Sequence, residues 1–418
     1  MLFGSSGIRQ EFSSGLVDLA LRIGAAVAGG ASNIAVGRDT RTTSELLEHC
    51  VVTGMLSAGA TVHTCGVAPT PTVAHATGCV DAGCMITASH NPESYNGVKL
   101  FNPDGSSFTL RQQAAIEEAL EATHWKSWAE QGRVVSIDAV EAHREAILEK
   151  ISLSRPIDVV LDCGNGAASV ISPDLLAAAG ATVTGLNCNV FGRFARPSEP
   201  LEANLPYAGE LVRKREAACA IIHDGDADRM MAFDERGRYI DGDHLLMLFA
   251  KYLDRKRVVT TVDASMAIEE IAEVHRTPVG DSFVSEELLS WGDFGGEASG
   301  SWIFPEHSYC PDGIYAAALL CEIASEWSIA EELDRMPRYT LLRESYRIPS
   351  PRQVMTAMGA DEPTHGVRFE DEDGWYLVRA SGTEPKVRIT AEGRTPAKAK
   401  EMLELGHAAL EKAKRSQE

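Results

Sequence analysis

The sequence predicts an α/β protein made of three successive blocks and closed by an α+β tail. Three observations predict it. Over the first 120 residues, apolar runs of strand length alternate with segments of helix length, the pattern of a parallel sheet with helical crossovers. The alternation starts again in a block led by Ile157–Asp162, and a third time near Asp241-Gly242-Asp243. From about Leu341 the order changes to a strand, a helix, grouped strands and a long final helix, which describes a short antiparallel sheet with packed helices. The expected units are residues 1–150, 151–240, 241–342 and 343–418.

In the first block a helix is expected over roughly Gly15–Ala28, then a strand at Asn33–Arg38. A second helix begins near Thr43-Ser44-Glu45, followed by strands at Thr61–Cys65 and near Ala82–Thr87 and by an acidic helical stretch at Glu117–Ala122. In the second block the strand Ile157–Asp162 runs into Gly164-Asn165-Gly166 and a helix ending at Ala179-Gly180. The apolar run Ala218–His223 follows, and Met230–Phe233 and Arg238–Ile240 flank Asp234-Glu235-Arg236-Gly237 as a hairpin. The third block reads helix, strand Arg257–Val262, helix from Ser265, strand, helix, and a glycine-rich turn at Gly295-Gly296. The tail carries strands at Val367–Phe369, Trp375–Arg379 and Lys386–Ile389 and an amphipathic helix over Pro396–Lys414. Three blocks of similar size suggest distant internal repeats, although no motif recurs.

Composition excludes several function classes. With 44% hydrophobic and 24% charged residues the chain has the apolar surface a folded core needs, so it is not a disordered protein. Its 39 basic against 60 acidic residues give a net charge of −21, which repels nucleic acid and anionic membranes. An anionic ligand must therefore be held by local basic residues and backbone N–H groups. No basic-then-apolar leader and no membrane-length apolar run are read. Nine unevenly spaced cysteines, never as C-x-x-C, fit a reducing cytoplasm. The expected protein is cytoplasmic, a monomer or homodimer, with small-molecule partners.

Four segments carry chemistry. Thr87-Ala88-Ser89-His90-Asn91-Pro92 leaves an apolar strand, with Tyr95-Asn96-Gly97-Val98-Lys99 behind it. Ligands gather at the carboxyl ends of such strands, and Ser89 is a nucleophile or phosphate carrier there, or part of a plain polar turn. No G-x-S-x-G elbow accompanies it. Asp224-x-Asp226-x-Asp228-Arg229 also ends an apolar strand. Its alternating carboxylates can converge on a hard dication such as Mg2+; a calcium EF-hand loop would place Gly after the third acid, where Arg229 stands. Gly295-Gly296-Glu297-Ala298-Ser299-Gly300-Ser301 sets one acid among small residues, either to accept hydrogen bonds from sugar hydroxyls or as an ordinary glycine-rich loop. Arg379-Ala380-Ser381-Gly382-Thr383-Glu384-Pro385, with Arg388, holds the donors a phosphate monoester needs, or is a hairpin turn with incidental charges.

Taken together and in this order, these segments resemble the α-D-phosphohexomutase superfamily over essentially the whole chain. Phe3-Gly4-Ser5-Ser6-Gly7-Ile8-Arg9 and Gly37-Arg38-Asp39-Thr40-Arg41 look like further signatures of it. The resemblance implies three related α/β domains with mixed sheets and a C-terminal α+β domain around a central cleft. It implies that Ser89 carries a phosphoryl group and that Asp224, Asp226 and Asp228 hold one Mg2+, with the phosphorylated Ser89 completing the shell. Glu297 and Ser299 would grip sugar hydroxyls. Arg379, Ser381, Gly382, Thr383 and Arg388 would hold the phosphate that is not transferred. Arg9, His90, Lys99 and Arg229 would lie near the transferring group as offsetting cations, with Lys99 at a lowered pKa as the proton carrier.

The implied reaction passes a phosphoryl group from Ser89 to a sugar hydroxyl, turns the hexose bisphosphate end for end, and returns its other phosphate to Ser89. Within the superfamily the features look most like the archaeal phosphoglucosamine mutases. Phosphomannomutase or phosphoglucomutase activity is the runner-up. Ser301 and Asp281 stand where some members carry His, which leaves the general acid–base residue open. The rivals are a Mg2+-dependent sugar-phosphate phosphatase using one of the three aspartates as nucleophile, and a non-catalytic sugar-phosphate binder.

Overall fold

The computed structural model describes residues 2–4, 6–122, 125–360, 362–381 and 385–415. It has four sheets, taken from the chain in order. The first contains β1 (Ile8–Glu11), β2 (Asn33–Arg38), β3 (Thr61–Val67), β4 (Ala82–Ile86), β5 (Tyr95–Phe101) and β6 (Arg133–Ser136), in spatial order β1-β5-β4-β2-β3-β6. The second contains β7 (Ile157–Asp162), β8 (Ala181–Leu186), β9 (Cys219–His223), β10 (Met230–Asp234) and β11 (Tyr239–Ile240), ordered β11-β10-β9-β7-β8. The third contains β12 (Arg257–Thr261), β13 (Glu273–Thr277), β14 (Phe294–Glu297) and β15 (Ser301–Ile303), ordered β13-β12-β14-β15. The last contains β16 (Thr340–Arg347), β17 (Val367–Glu370), β18 (Gly374–Ala380) and β19 (Lys386–Gly393), ordered β16-β19-β18-β17 and antiparallel throughout.

The first three sheets share one topology. In each, one strand lies between the next two strands in sequence and parallel to both, and a fourth returns antiparallel beside the third: β3-β2-β4-β5, β8-β7-β9-β10 and β13-β12-β14-β15. The repeat suggested by block size is thus a repeat of strand order, carried by no common motif. It also sets the positions of the site loops. Residues 87–94, 224–229 and 298–300 each join the third strand of a block to its antiparallel return, and 381–385 join the antiparallel pair β18 and β19.

Most of the elements expected from the sequence lie where it placed them, and the main differences are these. The first sheet is mixed, as the resemblance implies and the strand–helix alternation alone does not, because β5 and β1 add antiparallel at its edge. These strands went unread since Gln10, Glu11, Asn96 and Lys99 break their apolar pattern. The backbones there also approach closely, and a Cβ on Gly97 would lie 1.8 Å from the Ile8 carbonyl oxygen. Ala181–Leu186 is a further strand missed, its faces only half-buried. The expected turn at Gly295-Gly296 is strand β14 instead; the glycines are there because Leu288, Val284 and Trp302 pack onto the backbone. The helix expected from Ser265 is one short turn, Met266–Glu270, since β13 begins at Glu273.

The largest apolar core runs between the second and third sheets. The helix Gly313–Glu326, buried except at Glu322 and Glu326, lies inside it. The first and last domains keep cores of their own. The last domain meets the third through a small cluster of Met266, Trp375 and Leu377. Beside it the buried Glu392 carboxylate accepts hydrogen bonds from Ser265 Oγ, from Met266 N (2.8 Å) and from Trp375 Nε1 (2.7 Å). All nine cysteines are free thiols. Among the described residues no helix is long and apolar enough to cross a membrane.

Candidate active site

Ser89 sits at the carboxyl end of β4 with a left-handed backbone (φ 48°), a conformation an L-residue adopts only when its surroundings hold it there. Arg41 supplies the holding. Its guanidinium donates to four carbonyl oxygens of the loop, those of Ser89 (2.7 Å), Asn91 (2.8 Å), Pro92 (2.7 Å) and Tyr95 (2.9 Å). Its Nε donates to Asp39 Oδ2 at 3.0 Å. Asp39, fully buried, also accepts from Ser44 Oγ and from Thr87 Oγ1, and Thr87 Oγ1 accepts from Ser89 N. The loop is therefore clamped through its backbone, which leaves the Ser89 hydroxyl to point away from it.

The hydroxyl points at the carboxylate trio. Ser89 Oγ donates to Asp224 Oδ2 at 2.7 Å and lies 3.4 Å from Asp228 Oδ1. The three aspartates are buried, with an oxygen of each within 4.8 Å of the others. Gly225 lets the two loops meet: a Cβ there would stand 2.8 Å from the Ser89 carbonyl oxygen. Ser198 Oγ donates to that oxygen too. Thr70 fixes Asp226, donating from N to its carbonyl (2.9 Å) and from Oγ1 to Oδ2 (2.5 Å).

The trio fits a dication. Burial, then repulsion from Asp228 and Asp226, pushes the Asp224 carboxyl well above its usual range, and burial with Asp226 raises Asp228 as well. Asp226 Oδ1 is buried with no hydrogen-bond partner among the described residues. Crowded carboxylates with an orphaned oxygen are the donor set a hard cation neutralises.

Four basic or ionisable residues surround this point. Lys99 Nζ donates to Asp226 Oδ2 at 2.7 Å and to Asp228 Oδ2. This corrects one expectation. Burial alone would lower the Lys99 pKa, but the two aspartates outweigh it and the ammonium is held above its ordinary range. His90 needs a second correction: burial, with Arg229 and Arg9 beside it, pulls its pKa down to about 2, so the ring is neutral and offsets no charge. Its Nδ1 lies 3.4 Å from Ser89 Oγ. Arg9, on β1, acts on Lys99, His90 and Asp226, and its Nε is buried without a partner among the described residues. Arg229 N donates to Asp224 Oδ1 at 3.3 Å, and the Arg229 charge acts on Asp228, Asp224 and Glu297.

Arg229 thus links the trio to the third domain. Glu297 ends β14, buried, and accepts from Gly280 N at 2.8 Å; Ser299 Oγ is 3.4 Å from its other oxygen. Burial, then Asp281, raises its pKa to about 7 against the pull of Arg229. Ser301 is buried on β15 opposite Glu297, and Asp281 accepts from Ser6 Oγ, joining first and third domains. The chain of charges continues through Asp263, which acts on Glu297 and lies 3.5 Å from Arg379 Nη2. Arg379 and Arg388 are direct register partners on β18 and β19, so both project from one face of the last sheet. Ser381 follows β18, its N donating to Lys386 O; Gly382 and Thr383 lie outside the described residues. Thr70, Ser198, Asp263 and the Asp39–Arg41 clamp were not assigned site roles from the sequence. An Asp and Arg two apart at a strand end is a signal that could have pointed to the clamp.

Three sheets of one topology, with Ser89 and the aspartate trio facing each other on the return loops of the first two and an α+β domain set against the third, define the phosphohexomutase class of isomerases. Family models described as phosphoglucomutase/phosphomannomutase, alpha/beta/alpha domains I, II and III, match residues 1–127, 136–237 and 241–339, and the C-terminal domain of the same family matches 346–405. The chain belongs to the phosphoglucomutase/phosphomannomutase family. It is 44% identical to a probable phosphoglucosamine mutase of Methanocella arvoryzae over 94% of this chain and 93% of that one. It is 39% identical to the phosphoglucosamine mutase of Methanococcus aeolicus over 97% of each chain. A solved phosphoglucomutase/phosphomannomutase family protein from Burkholderia thailandensis matches with a TM-score of 0.88 at 25% identity, covering 99% of this chain and 97% of that one.

Proposed function

We propose that the protein interconverts glucosamine 6-phosphate and glucosamine 1-phosphate through a phosphorylated Ser89 and a bisphosphorylated amino sugar. The observation that carries the reading is the Ser89 hydroxyl 2.7 Å from Asp224 in a buried carboxylate trio. The amino sugar is supported by relatives named phosphoglucosamine mutases along nearly the whole chain.

Asp224, Asp226 and Asp228 would hold Mg2+, which when bound supplies charge stabilisation to the phosphoryl oxygens. The Ser89 Oγ–P bond breaks as a sugar hydroxyl oxygen bonds to phosphorus, and the hydroxyl proton ends on Ser89 Oγ. Lys99, Arg9 and Arg229 contribute fixed positive charge around the transferring group. Lys99 is an ammonium here, a poor acceptor for the hydroxyl proton. Glu297 and Ser299 orient the ring hydroxyls, while Arg379, Ser381, Gly382, Thr383 and Arg388 grip the phosphate that stays. Because the two phosphates of the intermediate exchange places, one set of residues serves both half-reactions.

A side-by-side assay of glucosamine, mannose and glucose phosphates, each with its catalytic bisphosphate, tests the reading. Glucosamine phosphate turns over fastest, and Ser89→Ala abolishes both turnover and phosphate incorporation. A faster rate on mannose or glucose phosphate assigns the runner-up substrate. Phosphate release that survives Ser89→Ala makes the protein a phosphatase.

A further inference from the structure

Behind the carboxylate trio lies a second cluster that the mutase chemistry leaves unused. His143 and Asp312 are fully buried and the His307 side chain is almost so. His143 Nε2 is 3.0 Å from Asp312 Oδ2, His307 Nε2 is 3.2 Å from the same oxygen, and the two nitrogens are 3.3 Å apart. Three ligand atoms from two distant stretches of chain therefore form a near-equilateral triangle. Zinc held tetrahedrally at about 2.0–2.1 Å sets its ligands about 3.3–3.4 Å apart, so the triangle closes around such an ion with small adjustment.

The surroundings match a ligand set. Thr72 Oγ1, itself buried, lies 2.9 Å from His143 Nδ1. Coordination through Nε2 puts the ring proton on Nδ1, where that hydroxyl accepts it, the outer-shell arrangement that orients metal-bound imidazoles. The other Asp312 oxygen is occupied, accepting from Ile314 N (2.9 Å) and Tyr315 N (2.8 Å) at the start of the helix Gly313–Glu326. One oxygen alone thus faces the imidazoles. His75 stacks on His143 with ring centroids 5.1 Å apart and closes the cluster from the first domain.

We propose that His143, His307 and Asp312 form a second metal site, for a transition-metal dication of the zinc class. Two imidazoles and a carboxylate suit such an ion and not magnesium, which prefers oxygen ligands alone. The site is structural. It ties the helix Ala139–Leu148 to the segment leading into Gly313–Glu326, and reaches through Thr72 to the helix Thr70–Ala76, whose Thr70 fixes Asp226.

Full-length protein is stripped with chelator and dialysed against buffered Zn2+, and metal is counted by mass spectrometry. An Asp224→Asn/Asp226→Asn variant silences the trio, so its zinc reports the second site alone. It is expected to keep about one equivalent and, with Co2+ instead, to show the visible absorption of a low-coordinate nitrogen-containing site. Adding His307→Asn removes both signals. The proposal fails if the trio variant binds no zinc at micromolar free metal, or if His307→Asn leaves the signals unchanged. Should that triple variant not fold, the Co2+ spectrum of the trio variant decides: an octahedral oxygen-type spectrum overturns the assignment.

Discussion

Replacing Glu297 with Gln separates a carboxylate's cost to the fold from its use in the site. Burial and Asp281 raise its pKa from an ordinary value of 4.5 to about 7. Between those values the folded state keeps a proton that the unfolded chain has released. Stability contributed by the neutral acid is therefore full below 4.5 and falls as pH rises through the window to 7. At about 1.4 kcal/mol per pH unit the loss is of order 3 kcal/mol. Gln is neutral at every pH and can still accept from Gly280 N, which is 2.8 Å from Oε1. Glu297→Gln should match the parent near pH 4.5 and exceed it by a few kcal/mol at pH 8, read from denaturant midpoints at the two pH values. Its kcat/KM should fall about 10- to 100-fold, since hydrogen bonds to a charged group contribute roughly 1.5–3 kcal/mol. A variant no more stable than the parent at pH 8 would refute the claim that this carboxylate is ionised at a cost.

Two further substitutions test the loop geometry. Arg41→Ala removes four carbonyl contacts and leaves buried Asp39 without its cation, so it should cost about 3–5 kcal/mol and expose residues 88–95 to proteolysis; Arg41→Lys, keeping charge without the fork, recovers part of the loss. Gly225→Ala places a methyl group 2.8 Å from both the Ser89 carbonyl oxygen and Phe194 Cζ. It should destabilise by about 1–3 kcal/mol and lower turnover by parting Ser89 from Asp224; unchanged thermal stability and rate would show that the two loops do not touch.

The parts of the site legible in the sequence are those whose chemistry is local. Asp224, Asp226 and Asp228 alternate in a turn, so convergence follows from spacing alone, and Ser89 leaves a plainly apolar strand. The charge states of Lys99 and His90 were not legible, because they depend on Asp226, Asp228, Arg229 and Arg9 brought in from distant segments. The same holds for the cluster at positions 143, 307 and 312, where His143 comes from a segment more than 160 residues before the other two. Strands β1 and β5 escaped because their pattern is polar and their pairing rests on a glycine. Strand β14 escaped because glycine signals a turn in isolation, whereas Gly295 and Gly296 serve packing by Leu288 and Trp302.

The last domain carries its own core, and its apolar seat on the third is buried at Met266, Trp375 and Leu377 and flanked by Val262, Tyr339 and Leu341, with the Glu392 carboxylate knotting Ser265, Met266 and Trp375 together. Small, largely polar seams between folded bodies permit relative rotation. Glu392 and the pair Arg379 and Arg388 stand on one sheet, so they would be carried together by the last domain. Any rotation at this seam would move that pair while Ser89 and the aspartates, held together across the first two domains, kept their alignment.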